Sequence, residues 1–291
     1  MAEQRLAEME ELSDKQVNLP WAYFRLSPFP QIAIRVMQMV NKDDVPLDRI
    51  ATLIAADPAF ASEILTIANS PLYAPRIPAT SILQAVSRLG TRHIQGLCLT
   101  VAVRAYLGQT VNHPIMKSVW HHNLACAMIA EQLAVACFMD KDLAYTAGVM
   151  HDIGRLAMAV IKPKQYSELL GSHTGPASSI LEAEWALFGF DHCEAGQQLI
   201  ASWKLPHDFD AVVAHHHATR DPHAGWEIAD LVSLSCRMAD ISGFAAFPGC
   251  EAAAFSDLQS EIPEEARGRF HPDIESLSGD IAAKISAVEA A

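Results

Sequence analysis

The sequence predicts an all-α protein built from two packed helical lobes, with the boundary between them near residues 108–118. Apolar residues recur at helical spacing through most of the chain, for example at Ile32, Val36, Met39 and Val40. Proline and glycine separate these segments at intervals that suit short helices, and no run of residues alternates as a strand would. With 291 residues, 51% of them hydrophobic, the chain is long enough to bury a large core.

The first part of the chain is predicted to form a polar tail and a helical lobe. Residues 1–17 are polar and acidic, which is typical of a loosely ordered N-terminal tail. Residues 18–110 are predicted to fold as short helices, one of which starts after Pro46. Another is expected between Ser81, a suitable N-cap, and Gly90, a suitable C-terminal stop. Catalytic residue types are not concentrated in this lobe, so we expect the chemistry elsewhere.

Residues 118–245 are predicted to form the second lobe, which contains most of the thirteen histidines. The clearest helix start is at Asp191, an N-cap residue that is followed three residues later by Glu194. Because several histidines of this lobe adjoin acids or other histidines, any metal site is expected here. Apolar periodicity and end signals place its helices at about 118–138, 141–158, 178–188, 191–204, 207–217 and 226–241.

Residues 246–291 are predicted to form a C-terminal extension. It begins with an acidic and less apolar stretch and ends in an amphipathic helix. The apolar stripe of that helix consists of Ile274, Leu277, Ile281, Ile285 and Val288. The stripe is expected to pack either on the body of the protein or on a second subunit, and the second arrangement would give a homodimer.

Charge and composition exclude several classes of function. The chain has 21 Lys and Arg against 34 Asp and Glu, a net charge of −13 with histidine neutral. It repels phosphate backbones and has no basic stripe, so we expect no nucleic-acid partner. No apolar run approaches the roughly 20 residues of a membrane span, and the start of the chain has no signal core. A cytoplasmic protein without membrane contact is therefore expected, and its six cysteines, which lack CxxC spacing, are predicted to be reduced thiols.

The most informative residues are histidines that occur in a particular order along the second lobe. His151 and Asp152 are adjacent in GVMHDIGRLA, and an imidazole and a carboxylate at this spacing can converge on one ion. A carboxylate can also bridge two ions. Further histidines precede and follow the pair, in WHHN, in GFDHCEAG and in VVAHHHA. A mixed set of imidazoles and carboxylate suits transition metals, so we expect one or two ions of iron, manganese or zinc.

The order of these residues resembles that of the HD superfamily of metal-dependent phosphohydrolases. The first lobe resembles the N-terminal half of the HDOD (HD-related output domain) family in LSPFP, IAADPAFASEILTIANSPLY and SILQAVSRLGTRHI. The second lobe resembles the other half of the same family in DLAYTAGVMHDIGRLAM, FGFDHCEAGQQLIASWKLP and VVAHHHA. The resemblance covers residues 18–245 and implies that the second lobe is an HD-like helical domain.

The resemblance also implies two ion positions that share one carboxylate. Neighbouring apolar residues align the family's His-His pair with His216 and His217. They align the first histidine of the family's metal site with His122. The first position would be held by Asp152, His192, His216 and His217. The second would be held by His122, His151, Asp152 and an acid whose place is taken here by Cys236. Because the second set lacks an anionic oxygen, we expect the first position to be the better occupied.

Three departures from active hydrolases leave the function open. Cys236 replaces the last acid and is interpreted as a small buried hydrophobe, with thiolate ligation as the alternative. Asp240, one turn later, is expected to make a solvated or helix-end interaction, and His93 to lie at the surface or at a cap. The lysine that follows the His-Asp pair in many hydrolases is Arg155 here. The Gly-Tyr-Pro segment of cyclic-dinucleotide phosphodiesterases is absent after the triple histidine.

Three functions are compatible with these features. The first is a regulatory module of a signalling pathway that binds a protein partner. The second is a metal-dependent phosphohydrolase, in which two ions activate a water and Arg155 is the nearest candidate to stabilise the transition-state charge. The third is a diiron-type site that senses oxygen or redox state. No hydrolysis of cyclic dinucleotides is expected from any of them.

Overall fold

The computed structural model describes residues 29–40, 45–73, 75–110, 114–218, 220, 225–251, 253–270 and 273–290. Within these ranges the chain is helical apart from loops and two strands of three residues each. The predicted all-α class is therefore confirmed. The polar tail predicted at residues 1–17 lies outside the described residues, as do residues 111–113 within the predicted boundary between the lobes.

Four of the five helices described in the first lobe are short, as predicted, with 8–11 residues, whereas the fifth has 20 residues. Its helices are α1 (Gln31–Val40), α2 (Leu47–Ala55), α3 (Pro58–Ala68), α4 (Ile82–Leu89) and α5 (Thr91–Thr110). The hydroxyl of Ser81 accepts a hydrogen bond from the Gln84 N–H at 3.2 Å, which caps the start of α4 as predicted. Gly90 ends the same helix at φ 87°, a left-handed conformation that favours glycine. Both predicted ends of α4 are confirmed.

The second lobe begins with the longest described helix, of 23 residues, and continues with seven helices of 6–12 residues. These are α6 (Pro114–Ala136), α7 (Lys141–Met150), α8 (Ile153–Ile161), α9 (Pro163–Ser172), α10 (Ile180–Phe188), α11 (His192–Trp203), α12 (Asp210–His215) and α13 (Ile228–Ala239). Helix α9 was not predicted, because Tyr166 and Leu170 are its only buried residues and give too little apolar periodicity. A π-helical turn, Asp240–Phe244, continues α13.

The predicted helix over residues 141–158 is wrong at its centre. Helix α7 ends at Met150 and α8 begins at Ile153, so that His151 and Asp152 form a turn between the two helices. Asp152 has φ −100° and ψ 18°, which interrupts the helical backbone. Adjacent residues of a continuous helix would point about 100° apart. In the turn, both side chains are directed into the interior of the lobe and are completely buried.

Two short strands also differ from the prediction, which contained none. Strand β1 (Thr174–Pro176) pairs in parallel with β2 (Gly249–Glu251), and Thr174 lies opposite Gly249. Three residues are too few to show an alternating pattern in the sequence. The pair connects the segment after α9 to the segment after α13.

Close contacts between helices hold the second lobe together and position its turn. Helices α6, α7 and α13 pack against one another, α8 packs against α11, and α5 packs on α7 to join the two lobes. Gly148 lies against the backbone of Ala127 in α6, and Gly154 lies against the backbone of His192 in α11. A Cβ atom at either glycine would overlap these atoms, so the two glycines allow α7 and α8 to approach their neighbours closely.

The C-terminal extension packs on the body of the protein. It contains α14 (Phe255–Glu261), α15 (Glu264–Arg267) and α16 (Ile274–Glu289). The predicted stripe of α16 is buried at Leu277, Ile281, Ile285 and Val288, and the helix contacts α6 and the π-helical turn. Of the two arrangements predicted for the stripe, the structure shows packing on the same chain; a homodimer stays a prediction.

The described helices are short or only partly apolar in comparison with a membrane span. No individual helix among them combines the length and the apolar character that crossing a bilayer requires. Helices α2 and α3 meet that requirement only when taken together, as a pair bent by 119°.

Candidate metal centre

Four side chains of the predicted first position converge at the centre of the second lobe. Asp152 comes from the turn between α7 and α8, His192 begins α11, and His216 and His217 follow the end of α12. One potential ligand atom from each lies within 4.8 Å of the others. The Nε2 atom of His192 is 3.2 Å from that of His216 and 3.1 Å from that of His217. Asp152 Oδ1 is 3.1 Å from His192 Nε2 and 3.4 Å from His216 Nε2. We name these four residues cluster 1.

In two histidines of cluster 1, the ring nitrogen opposite Nε2 bonds a protein acceptor. His192 Nδ1 lies 2.6 Å from a carboxylate oxygen of Glu184, and His216 Nδ1 lies 3.2 Å from the carbonyl oxygens of Val212 and Val213. These acceptors require an N–H at Nδ1. In the neutral imidazole the Nε2 atom then carries a lone pair. The lone pairs of His192 and His216 therefore face each other and the Asp152 carboxylate.

This donor set fits a metal ion. Asp152 Oδ1 is buried and has no hydrogen-bond partner, and an unsatisfied carboxylate oxygen is costly in the interior. A tetrahedral ion with bonds of about 2.0–2.1 Å to nitrogen places its ligand atoms about 3.3 Å apart. The separations in cluster 1, 3.1–3.4 Å, match that value. The residues present thus suit one transition-metal ion bound by three imidazoles and a carboxylate.

The charges of cluster 1 also favour a cation between the imidazoles. Burial lowers the pKa of His217 well below its ordinary value, and the neighbouring histidines act in the same direction. Burial and Arg155 oppose protonation of His192, but Glu184 and Asp152 outweigh them and raise its pKa well above the ordinary value. The centre therefore attracts one positive charge, either a proton on His192 or a metal ion that displaces it.

A buried network behind cluster 1 holds two of its residues in place. Glu184 accepts from the His192 N–H at 3.0 Å and from His192 Nδ1 at 2.6 Å through one oxygen. Its other oxygen accepts from Tyr166 at 2.8 Å and from Arg155 Nη1 at 3.2 Å. Arg155 Nε donates to Asp152 Oδ2 at 2.7 Å. Arg155 and Glu184 thereby join Asp152 to His192, and both are completely buried.

Glu184 was not predicted from the sequence, and Arg155 was predicted to have a different role. A carboxylate that accepts from the second nitrogen of a metal-ligating histidine fixes the ring and its tautomer. Glu184 has this arrangement, and the one local signal for it is an acid in the apolar helix ILEAEWALF. Arg155, which was expected near a substrate, is completely buried and bonds Asp152, Glu184 and Tyr166. This placement suits a residue that positions ligands.

The predicted second position also assembles, with sulfur in place of an oxygen. His122 from α6, His151 from the turn and Cys236 from α13 offer ligand atoms within 4.8 Å of one another, and all are buried. We name these three residues cluster 2. Cys236 Sγ lies 3.3 Å from His122 Nε2. Asp152 Oδ2 lies 3.7 Å from His151 Nε2, so that the carboxylate stands between the two clusters.

Of the two alternatives expected for Asp240, the solvated one is wrong, and the expectation that His93 lies at the surface or at a cap is also wrong. Asp240 is buried, not solvated, and its Oδ1 lies 3.4 Å from His122 Nδ1, which bonds the Phe244 carbonyl oxygen at 2.8 Å. His93 is also buried: its ring bonds Asp142 at 2.8 Å and the Tyr73 hydroxyl at 2.7 Å. In both cases contacts that are distant in the sequence bury a polar side chain. The alignment chosen within the triple histidine agrees with the geometry, since His215 is exposed.

A cavity of about 620 Å³ opens beside both clusters. His216 and His217 of cluster 1 and Cys236 of cluster 2 form part of its wall. Arg220 lies against the Trp226 ring at 4.8 Å, and both residues face the same cavity. An ion at either cluster would thus lie next to space for a small molecule.

Comparison with known proteins agrees with this geometry. A family profile described as the HDOD domain matches residues 26–219. An uncharacterised protein from Treponema pallidum (strain Nichols) is 26% identical over 216 residues, which cover 72% of this chain and 41% of that protein. The chain therefore spans less than half the length of this relative.

Solved structures share the fold. An HDOD domain protein of unknown function from Geobacter sulfurreducens has a TM-score of 0.66 at 24% identity, over 91% of both chains. A Marinobacter aquaeolei VT8 protein provisionally named a signal transduction protein has a TM-score of 0.68 at 21% identity, over 91% of this chain and 59% of its own. A Shewanella amazonensis SB2B protein provisionally named a metal-dependent phosphohydrolase has a TM-score of 0.57 at 21% identity, over 88% of this chain and 92% of its own.

Fold and site together define the class of protein. A helical lobe places a His-Asp turn among histidines from α6, α11 and the end of α12, next to a first helical lobe. The family profile covers more than half of the chain. The chain belongs to the HDOD family.

Proposed function

We propose that this HDOD protein is a regulatory module of signal transduction that holds one metal ion in cluster 1. The proposal is carried by the convergence of three imidazoles and the Asp152 carboxylate, in which the opposite ring nitrogens of His192 and His216 bond protein acceptors. The ion is iron, manganese or zinc, since imidazole and carboxylate ligands suit all three.

Regulation is favoured over hydrolysis by the groups around the ion. Arg155 is buried against two carboxylates and does not line the cavity, so it does not serve there as the cation for phosphate transfer. Arg220 and Arg237 do line the cavity, but they are paired with Asp230 and Glu261. Cys236 stands where hydrolases have the last acid of their ligand set. Among the residues that the structure describes, the first lobe contributes none to the wall of the cavity, and we assign to this lobe the binding of a protein partner. Neither nucleic acid nor a membrane is proposed as a partner, because the chain carries a net charge of −13.

Elemental analysis of protein purified without a histidine tag tests the proposal. His216→Ala should release most of the bound metal, whereas His122→Ala should release little, because cluster 1 has the complete donor set. His215→Ala is the matched control, since His215 is the exposed neighbour of the ligands. Metal-free wild-type protein, or metal lost from His122→Ala and kept by His216→Ala, would refute the assignment.

A second candidate, a metal-dependent phosphohydrolase, is favoured by one observation. The cavity of about 620 Å³ reaches His216, His217 and Cys236 and has room for a small phosphate ester. Hydrolysis of a phosphomonoester by metal-loaded protein, lost in Asp152→Asn, would support it. The diiron-type sensor would instead show an iron spectrum that changes between air and reductant, with two irons per chain.

A further inference from the structure

Cluster 2 has a donor set that differs in kind from that of cluster 1. Its ligand atoms are two imidazole nitrogens and a sulfur, from His122, His151 and Cys236. All three side chains are buried, and Cys236 also lines the cavity that gives access from solvent. Three elements distant in the sequence, α6, the turn and α13, bring these atoms together.

The hydrogen bonds of cluster 2 direct lone pairs at the thiol. His122 Nδ1 lies 2.8 Å from the Phe244 carbonyl oxygen, and His151 Nδ1 lies 2.7 Å from the Gly148 carbonyl oxygen. Both rings therefore carry their proton on Nδ1 and present Nε2 as an acceptor. His151 Nε2 is buried and has no hydrogen-bond partner, although an unsatisfied nitrogen in the interior is costly. The unpartnered nitrogen, like the convergence of the three ligand atoms, points to a bound ion.

Cluster 2 lacks a free carboxylate oxygen. The oxygen of Asp152 that faces His151, Oδ2, already accepts a hydrogen bond from Arg155 at 2.7 Å. The ions magnesium, manganese and calcium prefer oxygen ligands, whereas thiolate selects softer ions. Two imidazoles and one thiolate form a set that zinc accepts in proteins.

We infer that cluster 2 is a separate thiolate site that binds a thiophilic divalent ion of the zinc and cadmium class through His122, His151 and Cys236. On binding, a bond forms between sulfur and the ion, and the thiol proton leaves to solvent; no oxidant or reductant is involved. The inference rests on the proposed function in one respect: both place metal ions at the two clusters that this fold forms. It predicts that the two clusters differ in the metals that they accept.

Cadmium provides a direct readout, because a cadmium–thiolate bond absorbs in the near ultraviolet. Metal-free protein is titrated with Cd²⁺, and the charge-transfer absorbance is recorded. Wild type and His216→Ala should both develop the band, whereas Cys236→Ser should lose it. Cys126→Ala is the matched control and should keep the band, since Cys126 is a buried thiol of α6 whose sulfur bonds the Val232 carbonyl oxygen at 3.6 Å. A band that survives Cys236→Ser or disappears in Cys126→Ala would overturn the inference.

A measurement on the wild type tests the inference without relying on the folding of a variant. Alkylation of Cys236, followed by mass spectrometry, should slow at least tenfold in Cd²⁺ and remain unchanged in Mg²⁺. Equal rates in both ions would mean that Cys236 is only a buried thiol with a weak hydrogen bond to His122. The two proposals fail separately: metal loss in His216→Ala without a cadmium band refutes this inference alone. A cadmium band in a protein whose cluster 1 binds no metal refutes the proposed function alone.

Discussion

Replacing Glu184 by glutamine tests whether the network behind cluster 1 determines metal affinity. The wild-type carboxylate accepts four hydrogen bonds, from the His192 N–H and Nδ1 on one oxygen and from Tyr166 and Arg155 on the other. Glutamine has nearly the same shape but only one acceptor oxygen. In Glu184→Gln, its NH₂ group must therefore face either two donors of His192 or the donors of Tyr166 and Arg155.

The expected loss follows from the tautomer of His192. If the NH₂ group faces His192, the ring relieves the conflict by accepting at Nδ1 and carrying its proton on Nε2, the atom that points at the metal position. If the NH₂ group faces Arg155 instead, the charge that favours the ion is still lost. Changes of such orienting partners cost about 10–100-fold in metal affinity, which corresponds to about 1.4–2.7 kcal/mol. We expect a loss of affinity within this range.

Competition with a chromogenic chelator measures the affinity of purified protein for Zn²⁺ in a common Cys236→Ser background, so that the zinc site inferred at cluster 2 does not contribute. Glu182→Gln is the matched control, because Glu182 lies on the same helix and is exposed. Its affinity should equal that of the Cys236→Ser parent. Equal affinities of Glu184→Gln and Glu182→Gln, with circular dichroism showing that both variants are folded, would refute the role of the network.

Three other predictions concern packing and activity. In metal-free protein, Arg155→Met should lower the free energy of unfolding in urea by about 3–5 kcal/mol, because it leaves Asp152 buried without its cation. Arg237→Met, which removes a half-exposed ion pair, should cost less than about 1 kcal/mol. Gly154→Ala should strongly destabilise the protein, since its Cβ would overlap backbone atoms of α11, whereas Gly171→Ala, whose Cβ meets open space, should not lower the melting temperature. Metal-loaded protein should leave cyclic dinucleotides intact in a chromatographic assay, and turnover that Asp152→Asn abolishes would contradict the prediction.

The residues of the two clusters could be predicted because they occur as recognisable pairs. His151 is adjacent to Asp152 and His216 to His217, and the family resemblance supplied their order and alignment. The helical class and the ends of α4 followed from apolar periodicity and from capping residues. These signals are local, since each lies within one turn or one helix of the chain. The metal-binding role of the clusters stays a prediction.

The supporting residues could not be predicted because their contacts are long-range. Glu184 lies 29 residues from Arg155 along the chain, and an acid on a short helix is usually solvated. Asp240 would be exposed if α13 ended freely, but it begins a π-helical turn that packs on α6 and α16, and it is buried. The break at the His-Asp turn gave no signal either, because its residues lack the glycine or proline that marks most breaks.

The hydrogen bonding of the Asp152 carboxylate favours one ion in cluster 1 over a pair of ions that share this carboxylate. Its Oδ1 faces His192 and His216 at 3.1 and 3.4 Å, while its Oδ2 is bonded to the Arg155 guanidinium at 2.7 Å. To bridge two ions, the carboxylate would have to exchange that hydrogen bond for a second metal bond, next to a buried positive charge. Two-metal hydrolysis needs both ions, so the Arg155 hydrogen bond to Asp152 and the thiol of Cys236 both act against it. An ion fixed in cluster 1 by a buried network is instead suited to holding α8, α11 and the end of α12 in one arrangement. Partner binding that depends on this arrangement would then depend on the metal.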